Sequence, residues 1–205
     1  ALTALAMMAA EELDAAWSQV RAAQAPADPA FANRYYIEGF LLDGKEAPGF
    51  VRSGALLAFG EIGRLAHMQV TGGSGSVRFT GQMGLRAAGA AARELLVAAA
   101  AAQLGVPATE LTTRDGRVTH AASQRTLRYG ELVQRAAQMS TPSHVKLKPR
   151  SEFHLIGTAP PRLDIPAKVT GRTNYGIDVS LPGILVATVM AAPVRGERLL
   201  RVDEA

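Results

Sequence analysis

The amino-acid sequence predicts an α+β fold, and three observations support this class. Apolar residues recur at helical spacing over Leu2–Ala16 and again over Val77–Leu104. Asp115 and Gly116 separate two short runs rich in threonine and valine, which is the pattern of a β-hairpin. Short stretches with the composition of strands follow near the end of the chain. Helices and antiparallel strands in separate parts of a sequence are typical of the α+β class.

The first third of the chain is predicted to contain one helix and one strand. The N-terminal helix carries Glu11, Glu12 and Asp14 on its outer side, where we expect a solvated face. Trp17–Ala22 alternates apolar and polar residues, which predicts a short strand. Over residues 31–70, six glycines and a proline interrupt every run. This part is predicted to be a long connection with room for one short strand or helix.

The middle of the chain is predicted to contain the longest helix, a hairpin and a shorter helix. The helix over 77–104 ends at Gly105, which suits a C-terminal cap, and at Pro107, which cannot continue it. Its second half is apolar enough to resemble a membrane span, but Arg93 and Glu94 at its centre favour a soluble helix. The hairpin covers Glu110–Thr119. The shorter helix covers Tyr129–Met139, with its apolar residues Leu132, Val133 and Ala136 facing inward.

A change of pattern predicts a domain boundary. Residues 140–168 contain five prolines and are predicted to be an extended linker. Beyond it, strands are predicted at Gly176–Ser180, Ile184–Met190 and Leu199–Val202. Two or three strands cannot bury a core alone, so we expect residues 169–205 to be the beginning of a second, incomplete domain.

The composition excludes several kinds of site. With 205 residues, 48% of them hydrophobic, the chain can bury a core. It has no cysteine, which excludes a disulfide, a cysteine nucleophile and a cysteine-ligated iron–sulfur cluster within this sequence. The net charge is +4, but residues 111–150 hold eight cations and two acids. Such a stretch suits a phosphate-bearing ligand or an acidic partner as well as nucleic acid.

A glycine-rich segment before the long helix is the candidate binding site. Its residues are Thr71, Gly72, Gly73, Ser74, Gly75 and Ser76. A helix N-terminus offers unpaired backbone N–H groups and the positive end of the helix dipole, and glycines let phosphate or pterin oxygens approach the backbone. A Walker A loop is excluded because Val77-Arg78 follows instead of a lysine and a hydroxyl residue, and the dinucleotide fingerprint lacks its third glycine. A flexible turn without a ligand is the alternative.

The sequence shows no pattern of a catalytic or metal site. The four histidines have neither a histidine nor a carboxylate partner at ligand spacing, so no metal site is expected. Arg86 and Arg93 lie seven residues apart on one side of the long helix, and we interpret them as solvated or paired with Glu94. Ser123 and Ser140 lack a histidine–acid context that would make either a nucleophile.

Several strings of the sequence together carry a family resemblance. They occupy residues 2–13, 71–78, 85–93, 147–148, 155–157, 162–164, 167–171, 175–179 and 181–185. In this order and at these spacings they resemble the large subunits of the molybdenum hydroxylases, the relatives of xanthine dehydrogenase and aldehyde oxidase. Within that family the likeness is strongest to the branch of isoquinoline 1-oxidoreductase beta subunits and membrane-associated bacterial aldehyde dehydrogenases.

The resemblance implies a domain plan and a reaction. Residues 1–139 would be part of a molybdopterin-binding domain, 140–168 a linker and 169–205 the start of an α/β hammerhead domain. The reaction would be hydroxylation of an aldehyde or an N-heteroaromatic carbon at molybdenum, held by a pterin that is commonly the cytosine dinucleotide form in bacteria. Gly72, Gly73, Ser74, Gly75 and Ser76 would bind the pterin or its phosphates.

The resemblance also implies partners and a compartment. Electrons would leave through a separate [2Fe–2S] subunit, and a cytochrome c subunit is a further implied partner, together with the remainder of the large subunit. The enzyme would be periplasmic or lie at the periplasmic face of the inner membrane, with the cytoplasm as the alternative. The glutamate that serves the family as general base would lie beyond Ala205, so no catalytic residue is expected in this chain. The other hypotheses are an arginine-rich module that binds nucleic acid or an acidic protein, and an incomplete nucleotide-binding enzyme.

Overall fold

A computed structural model describes residues 1–26, 28–69, 73–142 and 144–202. The chain divides into two compact units, which are Ala1–Pro166 (unit 1) and Ala167–Ala205 (unit 2). The helices are α1 (Leu2–Leu13), α2 (Arg34–Leu41), α3 (Gly49–Leu65), α4 (Gly73–Leu104), α5 (Tyr129–Ala136) and α6 (Ile165–Val169). The strands are β1 (Leu111–Arg114), β2 (Arg117–His120) and β3 (Arg125–Arg128), which form one antiparallel sheet in that order. This mixture is compatible with the predicted α+β class, while the identity of the domains stays a prediction.

The core of unit 1 lies where α4, the sheet and α5 meet. Its buried residues are Leu96, Ala99, Ala100, Val118, Leu132 and Ala136. The alanines of α4 leave room for close neighbours, and α1 packs along the same helix. Val133 is 54% exposed, so it does not face inward as predicted, whereas its neighbour Leu132 is fully buried.

The predicted hairpin is confirmed. Asp115 and Gly116 have φ angles of 49° and 73°, the left-handed pair that a type I′ turn requires. Strand β3 was not predicted from the sequence, because Leu127 is its single apolar residue among four. This strand is stabilised by backbone hydrogen bonds to β2, which its own composition does not predict.

Helix α1 ends earlier than predicted. Asp14 adopts the left-handed conformation, with φ of 54°, and its N–H donates to the carbonyl groups of Ala10 and Glu11. The strand predicted over residues 17–22 is wrong. Trp17–Gln19 forms one turn of 3-10 helix instead, and no described strand pairs with it.

The long connection predicted over residues 31–70 is also wrong, since it contains the helices α2 and α3. Two of its glycines, Gly39 and Gly63, are contact points between helices rather than breaks. A Cβ at Gly63 of α3 would lie 2.7 Å from the Ile37 side chain of α2, and Gly39 of α2 lies directly against the ring of Phe79. The missing side chains therefore let the helices approach closely.

Helix α4 begins at Gly73, four residues before the predicted start, and its segment Val77–Leu85 is π-helical. In that segment Gly81 lies against Met8 and Gly84 against the ring of Tyr35, so larger residues would collide with both neighbours. Among the described residues, α4 is the helix that is long and apolar enough to cross a bilayer. We interpret it as a core helix, because it packs against α1 and α5.

Unit 2 contains one turn of 3-10 helix, Gly176–Asp178, and its described residues form no strand. The strands predicted at 176–180, 184–190 and 199–202 are therefore wrong. No described residue of unit 2 is buried, and Met190 is 97% exposed. A strand needs a neighbouring strand and a covering layer to be stable, and the described part of unit 2 provides neither.

Candidate functional site

The structure places the described part of the predicted binding segment in the first turn of α4. Gly73–Ser76 form this turn, and Gly72 lies outside the described residues. Gly73 has a φ of 42°, a conformation that residues with a side chain rarely adopt, and a Cβ at this position would meet no atom of the described residues within 4 Å. The backbone at Gly73 is therefore open to an approaching group.

The other residues of this turn differ in exposure. Ser74 is exposed, whereas Ser76 is only 6% exposed. Gly75 lies against Tyr36 of α2, because a Cβ there would be 3.0 Å from the tyrosine ring. That ring meets Phe79 edge-on, with 5.5 Å between the ring centroids. The turn thus has an open side at Gly73 and Ser74 and a packed side at Gly75 and Ser76.

The open side of the turn has the chemistry of an anion site. The first N–H groups of a helix have no partner within the helix, and the dipole is positive at this end. Ser74 adds an exposed hydroxyl donor. Arg78, the nearest cation along the sequence, is exposed, and its guanidinium lies 5.4 Å from the centre of the Phe79 ring. The backbone N–H groups and the Ser74 hydroxyl fit a phosphate, as the family resemblance requires, whereas the Arg78 guanidinium lies against Phe79 and Gly44.

A buried ionic cluster, which was not predicted from the sequence, lies at the end of α1. Glu11 and Glu12, predicted to be solvated, are 2% and 0% exposed, so this prediction is wrong. Arg86 of α4, also predicted to be solvated, is buried, and its Nη2 lies 2.5 Å from Glu12 Oε1. The same guanidinium donates to the Lys148 carbonyl oxygen at 2.8 Å. The ion pair therefore ties α1 to α4 and to the segment that follows α5.

Glu11 binds that segment directly. Its carboxylate accepts hydrogen bonds from three successive backbone N–H groups, those of His154, Leu155 and Ile156, at 2.6–3.1 Å. Lys148 Nζ lies 3.4 Å from Glu11 Oε1 and 2.5 Å from Asp14 Oδ1. The part of the predicted linker between residues 148 and 156 is thus held against α1.

Arg93 and Glu94 bind the backbone of the same segment instead of pairing with each other. Arg93 donates to the Lys146 carbonyl oxygen at 3.3 Å and lies 3.8 Å from Asp14 Oδ2. Glu94 accepts the N–H of Lys146 at 3.1 Å. A cleft of about 470 Å³ opens beside these groups, lined by side chains of both charges. The predicted residues Gly73–Ser76 do not line it, so the cleft and the predicted site are different places.

One sequence signal could have revealed the cluster. Glu11 and Glu12 occupy the last turn of α1, which has no basic residue. Carboxylates at the C-terminal end of a helix face the negative end of its dipole, which is unfavourable unless cations or hydrogen-bond donors compensate them. Two acids in that place therefore indicate partners elsewhere in the chain, although the sequence does not say which.

The groups around Glu11 change the pKa of its carboxyl group. Burial alone would raise its pKa, but the three backbone N–H donors and the Lys148 ammonium outweigh burial, and the pKa of Glu11 is lowered. A carboxyl group whose pKa is lower in the folded state stabilises the fold above its unfolded pKa, which is about 4.3 for glutamate. This contribution is lost as the pH falls through the folded pKa.

We therefore expect the stability of the chain to decrease as the pH falls below about 4.3, partly because Glu11 is protonated. Urea unfolding between pH 7 and pH 3 measures this decrease. The variant Glu11→Gln should be less stable than the wild type at pH 7 and should lose less stability on acidification. An identical pH dependence in both proteins would contradict the assigned role of Glu11.

A second polar group lies at the end of β2, the central strand of the sheet. His120 Nδ1 is 2.7 Å from Ser123 Oγ, and His120 Nε2 is 2.9 Å from Glu110 Oε2. The expectation that Ser123 lacks a histidine–acid context is therefore wrong. Arg125 Nε donates to the same Ser123 oxygen at 2.8 Å, and we interpret the group as a structural link between β2 and β3. Among the described residues, no group of three or more histidines and acids could hold a metal ion.

The chain has relatives among named oxidoreductases. No protein-family model matches it. The beta subunit of isoquinoline 1-oxidoreductase from Brevundimonas diminuta is 35% identical to it, over 98% of this chain and 26% of that protein. The B subunit of nicotinate dehydrogenase from Pseudomonas putida is 38% identical, over 58% of this chain and 11% of that protein. The membrane-bound aldehyde dehydrogenase (pyrroloquinoline-quinone) of Gluconacetobacter polyoxogenes is 31% identical, over 98% of this chain and 22% of that protein.

These relatives confirm the resemblance seen in the sequence. All three names are those of oxidoreductases, and two of them are those of subunits. The chain spans about a quarter or less of the length of each relative. The name of the relative from Gluconacetobacter polyoxogenes includes a quinone cofactor, pyrroloquinoline quinone.

Proposed function

We propose that this chain, which is related along 98% of its length to a segment of the isoquinoline 1-oxidoreductase beta subunit, is a segment of a molybdenum-dependent oxidoreductase and contributes one wall of its cofactor site. The reaction would oxidise an aldehyde or an N-heteroaromatic compound. The observation that supports the site is the open backbone at Gly73 beside the exposed Ser74, at the positive end of a long helix.

Three residues of the first turn of α4, which are Gly73, Ser74 and Gly75, have a part in this proposal. The first backbone N–H groups and the Ser74 hydroxyl donate to a phosphate of the cofactor, which we propose to be molybdopterin in its cytosine dinucleotide form. Gly73 leaves the space that the phosphate needs. Gly75 packs on Tyr36 and so fixes the direction of the turn. When bound, the molybdenum group would supply the two-electron oxidation.

The buried ionic cluster supports the site from a distance. Glu12 and Arg86 hold α4 to α1, and Glu11 holds the backbone of residues 154–156 to the same helix. These contacts fix the axis of α4 and with it the direction in which its first turn points. We propose that a [2Fe–2S] cluster, for which this sequence has no cysteine ligand, sits on another subunit. We further propose a cytochrome c subunit and a periplasmic site at the inner membrane. The name of the membrane-bound relative supports the membrane part of this proposal.

The cofactor can be identified by chemical analysis of the purified complex that contains this chain. We expect about one molybdenum and one pterin per copy of the chain, measured by plasma mass spectrometry and by pterin fluorescence after oxidation. A complex that contains pyrroloquinoline quinone and no molybdenum would contradict the proposal and would match the name of the third relative.

The role of the exposed hydroxyl can be tested by Ser74→Ala. A hydrogen bond to a charged group contributes about 1.5–3 kcal/mol, so the variant should bind the cofactor roughly ten- to a hundredfold more weakly. The measurement is the molybdenum content of the complex after dialysis. Ser53→Ala, which removes an exposed hydroxyl from α3, is the matched control and should keep its molybdenum. Equal retention in both variants would remove Ser74 from the site.

A further inference from the structure

Three arginines lie side by side across the sheet. Arg114 of β1 pairs with Arg117 of β2, and Arg117 pairs with Arg128 of β3. Residues directly opposite each other in antiparallel strands point to the same face, with their Cβ atoms about 5 Å apart. All three arginines are exposed. The sheet thus presents a row of three guanidinium groups to the solvent.

A row of threonines completes the same face. Thr112, Thr119 and Thr126 are paired in register and lie two residues from the arginines on each strand. The hydroxyl oxygens of Thr119 and Thr126 are 3.1 Å apart. We call these six residues the arginine–threonine face. The opposite face of the sheet carries Val118 and other apolar residues that pack into the core of unit 1.

The charge of the arginine row is poorly compensated within the chain. Arg114 lies 3.7 Å from Asp115, but both side chains are more than 60% exposed, so the pair is weak. Arg117 and Arg128 form no ion pair with any described residue. Glu131, the acid nearest to Arg128 along the sequence, accepts the backbone N–H of that residue at 2.6 Å and caps α5. Like charges directly opposite each other destabilise a sheet, so this row has a cost in stability.

We propose that the arginine–threonine face docks an acidic segment of a partner protein. Guanidinium groups bind carboxylates through two parallel hydrogen bonds, and the threonine hydroxyls add donors beside them. Nucleic acid fits the face less well, because the face carries no aromatic side chain on which a base could stack. This surface lies on β1, β2 and β3, so the inference does not rest on the cofactor site at the start of α4.

Fluorescence anisotropy with the 205-residue chain tests the docking. The probes are a labelled peptide of ten glutamates, a peptide of ten glutamines and a single-stranded DNA of ten nucleotides. We expect the glutamate peptide to bind more tightly than the DNA, with an affinity that falls as salt is raised, and the glutamine peptide not to bind. Tighter binding of the DNA to the same face would overturn the choice of a protein partner.

Matched variants locate the binding. Arg117→Gln with Arg128→Gln should weaken binding of the glutamate peptide about tenfold. Arg21→Gln with Arg172→Gln removes the same charge from exposed positions outside the sheet and should change the affinity less than twofold. Replacement of Arg117 and Arg128 by lysine keeps the charge and should give an intermediate loss, since lysine cannot form the paired hydrogen bonds.

A stability measurement separates docking from a structural role. The variant Arg117→Gln with Arg128→Gln should melt at the same temperature as the wild type or higher, because it removes like-charge repulsion. Equal loss of binding in the sheet variant and the control variant, or no binding of the glutamate peptide to the wild type, would overturn the proposal. A lower melting temperature together with unchanged binding would show that the arginines serve the fold.

Discussion

Replacement of Arg86 by methionine is expected to destabilise unit 1 by about 3–5 kcal/mol, because it leaves the fully buried carboxylate of Glu12 without its cation. The variant also removes the donor of the Lys148 carbonyl group. Urea unfolding followed by far-ultraviolet circular dichroism measures the loss. Arg64→Met, which breaks the exposed pair with Glu61, is the control and should leave the stability nearly unchanged.

A double variant shows whether the cost comes from the unpaired charge. Arg86→Met combined with Glu12→Leu removes both charges and fills the space with apolar groups, so it should recover much of the loss. If the single variant costs no more than the Arg64 control, the cluster does not hold α1 to α4.

Gly89→Ala is expected to have the second large effect, because α1 and α4 touch at this glycine. A Cβ at Gly89 would lie 2.5 Å from the Ala9 carbonyl oxygen and 3.0 Å from the Glu12 side chain, and a backbone oxygen cannot move away without displacing α1. We expect a loss of about 1–3 kcal/mol or more, in spite of the better helix propensity of alanine.

The control for this substitution is Gly130→Ala in α5, where an added Cβ meets nothing within 4 Å. That variant should be as stable as the wild type or gain up to about 1 kcal/mol. Thermal unfolding of both variants gives the comparison. A Gly89→Ala protein as stable as the Gly130→Ala protein would show that the two helices are farther apart than the structure has them.

Local features could be predicted from the sequence, and the hairpin shows why. A two-residue type I′ turn requires two residues in the left-handed conformation, and Asp115 and Gly116 are residue types that adopt it readily. The turn could therefore be predicted from these two residues alone. The long helix over 77–104 was likewise predicted from its own periodicity. The glycines of α2 and α3 were misinterpreted, because Gly39 and Gly63 serve contacts with Phe79 and Ile37 that no local pattern contains.

In the candidate site, too, local features could be predicted from the sequence and long-range contacts could not. The position of Gly73–Ser76 at a helix start follows from the sequence around it. The contact between Glu11 and Lys148 joins residues 137 positions apart, and only the fold brings them together. The strands predicted in unit 2 were wrong for a different reason. Their composition suits strands, but the described residues of unit 2 form no sheet with which they could pair.

The measurement that tests the cofactor site most directly is the molybdenum and pterin content of the intact enzyme complex carrying Gly73→Val. Valine at a φ of 42° is strained and places a branched side chain where the backbone is now open. Gly54→Val in α3, where an added Cβ meets nothing within 4 Å, is the matched control for a glycine-to-valine change. We expect the Gly73→Val complex to assemble with an unchanged circular dichroism spectrum but to lose most of its molybdenum and pterin, while the Gly54→Val complex keeps both. Full molybdenum and pterin content in the Gly73→Val complex would contradict the assignment of this turn to the cofactor.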